Sequence, residues 1–196
     1  MWVWSPIELK LELQTSIDRL GTVSHLVSPN RLHYLFLSQW RSAYPRAMIW
    51  GPSSTIRRLP DLAFAPPLED HPPDAWRGDF DQAWFRGSFA LDEVVFFHKP
   101  SGVVIIADLI QAFDERFLIE HWPRWFRPLA RLGGITVADP KAPLDLRLTF
   151  FDRAAARRAR DKILSWDCEK VVIAHGQWPR QNGREFLQHA FAWLNR

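Results

Sequence analysis

Three polar residues stand beside the ends of apolar, strand-like runs, and their types suit one task. His33 follows the run 23–28, Asp108 follows Val103–Ala107, and His175 follows Val171–Ala174. In open α/β sheets, ligands gather outside the carboxyl ends of strands. Two imidazoles and a carboxylate are a common donor set for a borderline divalent metal, zinc first, with iron or manganese as further candidates. A metal ligand must be a neutral imidazole. In the stretch "LVSPNRLHYLFL" (26–37), Asn30 is placed to cap a helix whose third residue is His33. The positive end of that helix dipole would disfavour protonation of the ring. Gly176 permits a sharp turn directly after His175. Each residue alone has an ordinary reading, since a His beside a Gly is usually a loop residue. The metal reading rests on the three together.

A hairpin adds a fourth candidate. The runs 93–98 and 102–107 read as strands flanking Lys99-Pro100-Ser101-Gly102, a good turn sequence. Pairing His98 with Val103 sets Glu93 opposite Asp108 and puts His98 about 17 Å away at ~3.4 Å per residue. Glu93 is therefore a candidate base or support for the site, the alternative being a surface carboxylate at a strand start. His98 reads as a turn-flanking surface histidine.

The elements that must position these residues alternate in type. Trp2–Trp4 reads as a short strand. Ser5, Pro6 and Glu8 form a capping-box pattern for a helix running to Leu20, ended by Gly21. A strand at 23–28 precedes the Asn30-capped helix, which carries Leu32, Leu35, Phe36 and Trp40 at helical spacing. Residues 47–50 read as a strand, 52–58 as a turn or short helix, and the Pro-rich 59–79 as a loop excursion. Strands at 82–86, 93–98 and 102–107 come next. Residues 112–132 read as helical, broken at Pro123 and Pro128, and 133–145 as a loop. Asp152 caps a helix to Trp166, 170–174 is a buried strand, and Asn182 with Glu185 opens a last helix through Leu194. Alternation with a central hairpin predicts an α/β layered fold with mixed sheets. The 196 residues suit a single domain, 1–196.

Composition narrows the function classes. The net charge is +3, with 25 basic against 22 acidic residues, too mild a bias to argue for nucleic acid. The densest basic run, Ala156–Arg160, reads as a solvated helix face. The 11 Trp and 14 Phe read as bulky core packing rather than stacking platforms. The single cysteine, Cys168, rules out an intrachain disulfide and reads as a small half-buried hydrophobe at a strand start. No signal peptide and no membrane-length apolar stretch is visible, so the expectation is a soluble cytoplasmic protein with a small-molecule substrate.

Four separated segments, "SPNRLHYLFL", "EVVFFHKPSGVVIIADLI", "LRLTFFDRAAARRA" and "VVIAHG", resemble in order an uncharacterised bacterial family of metallo-β-lactamase fold. The resemblance covers almost the whole chain and implies an αββα sandwich of mixed sheets with helices outside. The hallmark of that fold is a His-x-His-x-Asp-His run serving two metals. Here Ser28 and Asn30 stand where its first two His belong, Leu32 where its Asp belongs, and only His33 remains. Ser88, after Gly87, stands where a further His is usual. Asp108 matches the bridging Asp and His175 the last His. The resemblance thus implies an empty first metal position and a second reduced to His33, Asp108 and His175. Asp108 and Glu93 would serve the chemistry, and Asn30 would orient substrate or water. The implied activity is that of a single-metal hydrolase, the alternative being a metal-free binding or scaffold protein. The fold usually opens with a strand hairpin before "WVWSP", so the N-terminal strands are expected to be truncated, leaving an edge open to self-association.

Overall fold

The structure, a computed structural model, describes residues 1–195. The chain divides into two compact units, Met1–Glu69 and Asp70–Arg196.

The first unit holds β1 (Trp2–Trp4), α1 (Leu11–Leu20), β2 (His25–Val27), α2 (Leu37–Ala43), β3 (Met48–Trp50) and α3 (Ser53–Ile56). Its three strands are parallel in the order β1-β2-β3. Successive strands are joined through helices, as parallel pairing requires. Val3, Leu26 and Ile49 are neighbours in register and belong to one apolar cluster with Leu37 and Trp40.

Two sequence expectations fail in this unit. The helix expected from Ser5 begins only at Leu11, and Lys10 at its N-cap makes no side-chain cap. Ser5 sits at φ 48°, its amide donates to Val27 O at 2.8 Å, and its hydroxyl is taken by the His33 ring. The capping box cannot form because its first member is committed elsewhere. The helix expected from Asn30 also starts late. Residues 31–36 are turns, and α2 begins at Leu37. Asn30 does cap, with Oδ1 accepting from the amides of Leu32 (2.8 Å) and His33 (3.2 Å), but it caps a turn. The helix-dipole argument for His33 falls with it.

The second unit holds β4 (Phe80–Phe85), β5 (Glu93–His98), β6 (Val103–Ala112), α4 (Glu115–His121), α5 (Arg127–Gly133), β7 (Ile135–Thr136), β8 (Asp139–Pro140), α6 (Leu144–Leu148), α7 (Arg153–Ser165), β9 (Lys170–Gly176) and α8 (Gly183–Ala190). Its main sheet runs β4-β5-β6-β9, antiparallel except for the β6–β9 pair. The hairpin turn at Lys99–Ser101 is a 3-10 turn closed by Gly102 at φ 61°, and His98 pairs with Val103 as the sequence predicts. Asp152 caps α7, its Oδ1 accepting from Ala155 N at 2.9 Å. Ala156, Ala159 and Ile163 of α7 and Leu187 and Ala190 of α8 join the core of the sheet. Small side chains on α7 allow a close approach, and Gly87 completes it: a Cβ there would lie 2.2 Å from Asp152 O.

The expected loop at 133–145 instead contains the β7–β8 ladder and the start of α6. Pro128 does not break the helical stretch; it sits in the first turn of α5, where its missing N–H costs nothing. Asn182 adopts a left-handed conformation (φ 57°) and makes no side-chain cap to α8. The basic run on α7 is less solvated than its composition suggests. Arg157 Nε donates to Leu194 O at 2.8 Å, and Arg160 Nη1 to Asn195 Oδ1 at 2.7 Å, bracing the C-terminal segment. Cys168 is buried, and burial pushes its thiol pKa up, as suits an inert packing residue. No helix among the described residues is long and apolar enough to cross a membrane.

Candidate functional site

A defect in one strand pair creates the site in the second unit. β6 and β9 run in register from Val103↔Lys170 to Ile106↔Ile173, and the pairing resumes only at Gln111↔His175. Between these points β6 bulges, and Asp108 sits in the bulge. Asp108 is therefore inside β6 rather than past its end, and His175 is inside β9 rather than after it. The sequence misses the bulge because residues 103–112 read continuously as a strand. The bulge brings Asp108 Oδ1 to 3.0 Å from His175 Nε2.

A bulge strips backbone groups of ladder partners, and a buried amide without an acceptor is costly. Glu93 answers for two of them. Its Oε1 accepts from Ala107 N and its Oε2 from Asp108 N, each at 2.8 Å. Glu93 is completely buried, and Asp108 is 7% exposed. The expected proximity of Glu93 to Asp108 is thus found, in a form that register alone does not give: the carboxylate grips the backbone that carries Asp108. The strand ends are fixed as well. Gly176 is at φ 100°, and a Cβ there would lie 2.1 Å from Ala112 O.

His33 and Asn30 lie in the first unit. The Ser5 hydroxyl pairs with His33 Nδ1, and the Trp4 and His33 rings stack with centroids 6.3 Å apart. Ser28 and Asn30 are fully buried. Ser28 Oγ lies 2.8 Å from Asn30 O and 2.9 Å from His33 O. Together with the Asn30 Oδ1 contacts, this fixes the turn that carries His33. Leu32 is half exposed. Ser88 makes a comparable brace in the second unit, pairing with Thr149 Oγ1 at 2.5 Å and accepting from Ala90 N and Leu91 N. His98 bonds Ser101 in the hairpin turn, away from the bulge end of the strand. Sequence reasoning overlooks Ser5 as a partner of His33, because its capping-box pattern gives a self-sufficient local explanation.

No family model matches the chain, and no curated protein matches it. Solved structures do. The metal-soaked Flv1 flavodiiron core from Synechocystis sp. PCC6803 aligns over 98% of the chain at a TM-score of 0.60 and 16% identity. The chain spans about half, 49%, of that protein's length. A metallo-beta-lactamase from Pontibacter korlensis aligns over 99% of the chain and 80% of its own, at a TM-score of 0.60 and 14% identity. The DIM-1 metallo-beta-lactamase aligns over 94% and 76%, at a TM-score of 0.56 and 13% identity. The fold is the αββα metallo-β-lactamase-like architecture, with mixed sheets flanked by helices.

Proposed function

We propose that the chain is a single-metal hydrolase in which His33, Asp108 and His175 hold one divalent ion, zinc by donor type. The observation that carries the reading is the Asp108–His175 pair: a carboxylate oxygen and an imidazole nitrogen 3.0 Å apart, on backbone clamped by Glu93. These donors fit a borderline metal in kind, and their supports are those such ligands need. Bound there, the ion supplies Lewis acidity, polarising a carbonyl or phosphoryl oxygen and making water more acidic.

The protein groups have separable tasks in this reading. Ser5 holds Nδ1 of His33, so Nε2 is the ligating atom and the ring orientation is set before the ion arrives. Asp108 provides the anionic ligand. Glu93 and Asn30, both fully buried, position Asp108 and the His33 turn through backbone amides rather than touching substrate. The ordered segments that resemble the uncharacterised bacterial family support the same ligand set. Fold alone does not fix the substrate.

A second reading, a metal-free binding or scaffold protein, draws on Ser28, Asn30 and Ser88. These stand where the fold's other ligands belong, and all three are engaged in bracing loops. Elemental analysis of protein purified without chelator separates the two. The hydrolase reading expects ~1 equivalent of a transition metal in the wild type and a large loss in His33→Ala and His175→Ala. A wild type holding under about a tenth of an equivalent would establish the metal-free reading.

A further inference from the structure

The helical pair α4 and α5 in the second unit is packed with its apolar side chains inverted. Inward, Leu118 of α4 and Ala130 of α5 join Ile135 in a small cluster of their own, with Phe113 and Trp122 against it. Gly133 is the other buried residue of α5. The larger apolar residues of the same stretch face solvent: Trp125 is 72% exposed, Leu129 51% and Leu132 79%. Leu129 and Leu132 lie three apart on α5, and Trp125 precedes Leu129 by one turn, so the three share a side. A helix that turns Ala and Gly inward and Leu outward gains little from its apolar content in the isolated chain. A contiguous exposed apolar patch of this kind marks a contact surface.

Charge narrows the partner. From 115 to 133 the acidic residues are Glu115 and Glu120. Both are taken: Glu115 holds Arg131 at 2.9 and 2.6 Å, and Glu120 holds Arg116 at 2.8 Å. Arg124 and Arg127 form no ion pair among the described residues. Arg127 donates to carbonyls, Trp122 O at 3.1 Å and Ile119 O at 2.9 Å, and keeps its charge. The two cations bracket the apolar pair in the run Arg124-Trp125-Phe126-Arg127. A like face on a second copy would bring these cations together, whereas anionic phospholipid meets both. Exposed Trp and Leu beside Arg is also the composition that seats a helical segment at the headgroup boundary of a bilayer. Among the described residues no helix is long and apolar enough to cross a membrane, so such a contact stays at the surface.

We infer that the α4–α5 face docks on an anionic phospholipid surface, with Trp125, Leu129 and Leu132 entering the acyl boundary, Arg124 meeting lipid phosphates and Arg127 adding to the positive field. The inference does not rest on the metal reading and would survive its failure.

Co-sedimentation of the full chain with vesicles tests this, using phosphatidylcholine alone and phosphatidylcholine with about 30% phosphatidylglycerol. The wild type should bind the anionic vesicles, and the neutral ones at least about fivefold more weakly. Trp125→Ala and Leu132→Ser, both at exposed positions, should keep the wild-type melt and each weaken binding about tenfold or more. Arg124→Gln should weaken binding to the anionic vesicles about fivefold and leave the neutral ones unaffected. Leu20→Ser, which alters an equally exposed residue of α1 (76%), should bind as the wild type does. A wild type that stays in the supernatant with anionic vesicles overturns the proposal. So do equal binding to both vesicle types, undiminished binding by Trp125→Ala, and an equal loss in Leu20→Ser. A lipid-free dimer that Leu132→Ser dissociates would assign the face to a second copy and overturn the lipid assignment.

Discussion

Glu93→Gln is the sharpest test of how the site is held, because it changes one atom and one charge. In the wild type the carboxylate accepts two amides at 2.8 Å inside the core. Hydrogen bonds to a charged acceptor contribute about 1.5–3 kcal/mol each. In the variant one amide keeps a neutral acceptor, worth about 1 kcal/mol, and the other meets an NH₂ group and loses its bond. Removing a buried charge offsets part of the loss. The expected net destabilisation is about 3 kcal/mol. With a urea slope of about 2 kcal/mol per molar, the unfolding midpoint should fall by roughly 1.5 M. Asp108 loses its backbone anchor at the same time, so metal affinity should drop about 10–100-fold. A variant with an unchanged urea midpoint and unchanged metal content would refute the claim that Glu93 clamps the bulge.

Further outcomes follow from the same geometry. Ser5→Ala removes the hydroxyl on His33 Nδ1 and should weaken metal binding by about 10–100-fold, read by competition with a chromogenic chelator. Unchanged affinity would mean that Ser5 does not orient the ring. Gly176→Ala places a methyl against Ala112 O at an unfavourable φ and should cost about 3 kcal/mol, lowering the melting temperature by roughly 6–12 °C. An unshifted melt would contradict the close approach. His25 accepts from Trp50 Nε1 through Nδ1, and burial, aided by the N-terminal ammonium, lowers its pKa from the ordinary 6.5. Below 6.5 the unfolded chain binds the proton more readily, so stability should fall as pH drops from 6.5 toward the lowered folded value. Urea unfolding at several pH values checks this, and a His25→Asn variant with an undiminished slope in that window would exclude His25 as its source.

Much of the framework is legible in the sequence because local chemistry and final structure agree there. The Asp152 cap and the Lys99–Gly102 turn are satisfied within a few residues, and the register of the hairpin follows from its turn. Prediction fails where a side chain is claimed from a distance. Ser5 serves a histidine 28 residues away instead of its own helix. Asn30 keeps its capping chemistry, but the chain it caps does not continue as helix until Leu37. The β6 bulge has no glycine or proline to announce it, so Asp108 and His175 read as loop residues just beyond strand ends. Their proximity needs the parallel pairing of two strands far apart in sequence. Among the candidates, Glu93 was reachable through register; its grip on two amides was not, since a pattern of residue types does not show a broken ladder.

That broken ladder also sets what kind of sequence change this protein tolerates. Across the defect β6 carries residues 107–110 where β9 carries only residue 174. Three of the four, Ala107, Leu109 and Ile110, are buried in the core. Side chains alternate faces along a strand, so adding or removing one residue exchanges the whole set. A single-residue insertion or deletion between Ile106 and Asp108 would turn Asp108 from His175 toward the opposite side and bring an apolar neighbour into its place, and one at 109–110 would shift the phase of Gln111 and Ala112 against His175 and Gly176. Drift in side-chain identity can be absorbed by repacking, whereas drift in length cannot. The segment 107–110 is accordingly a place where homologues should keep an unvarying residue count even as their sequences diverge.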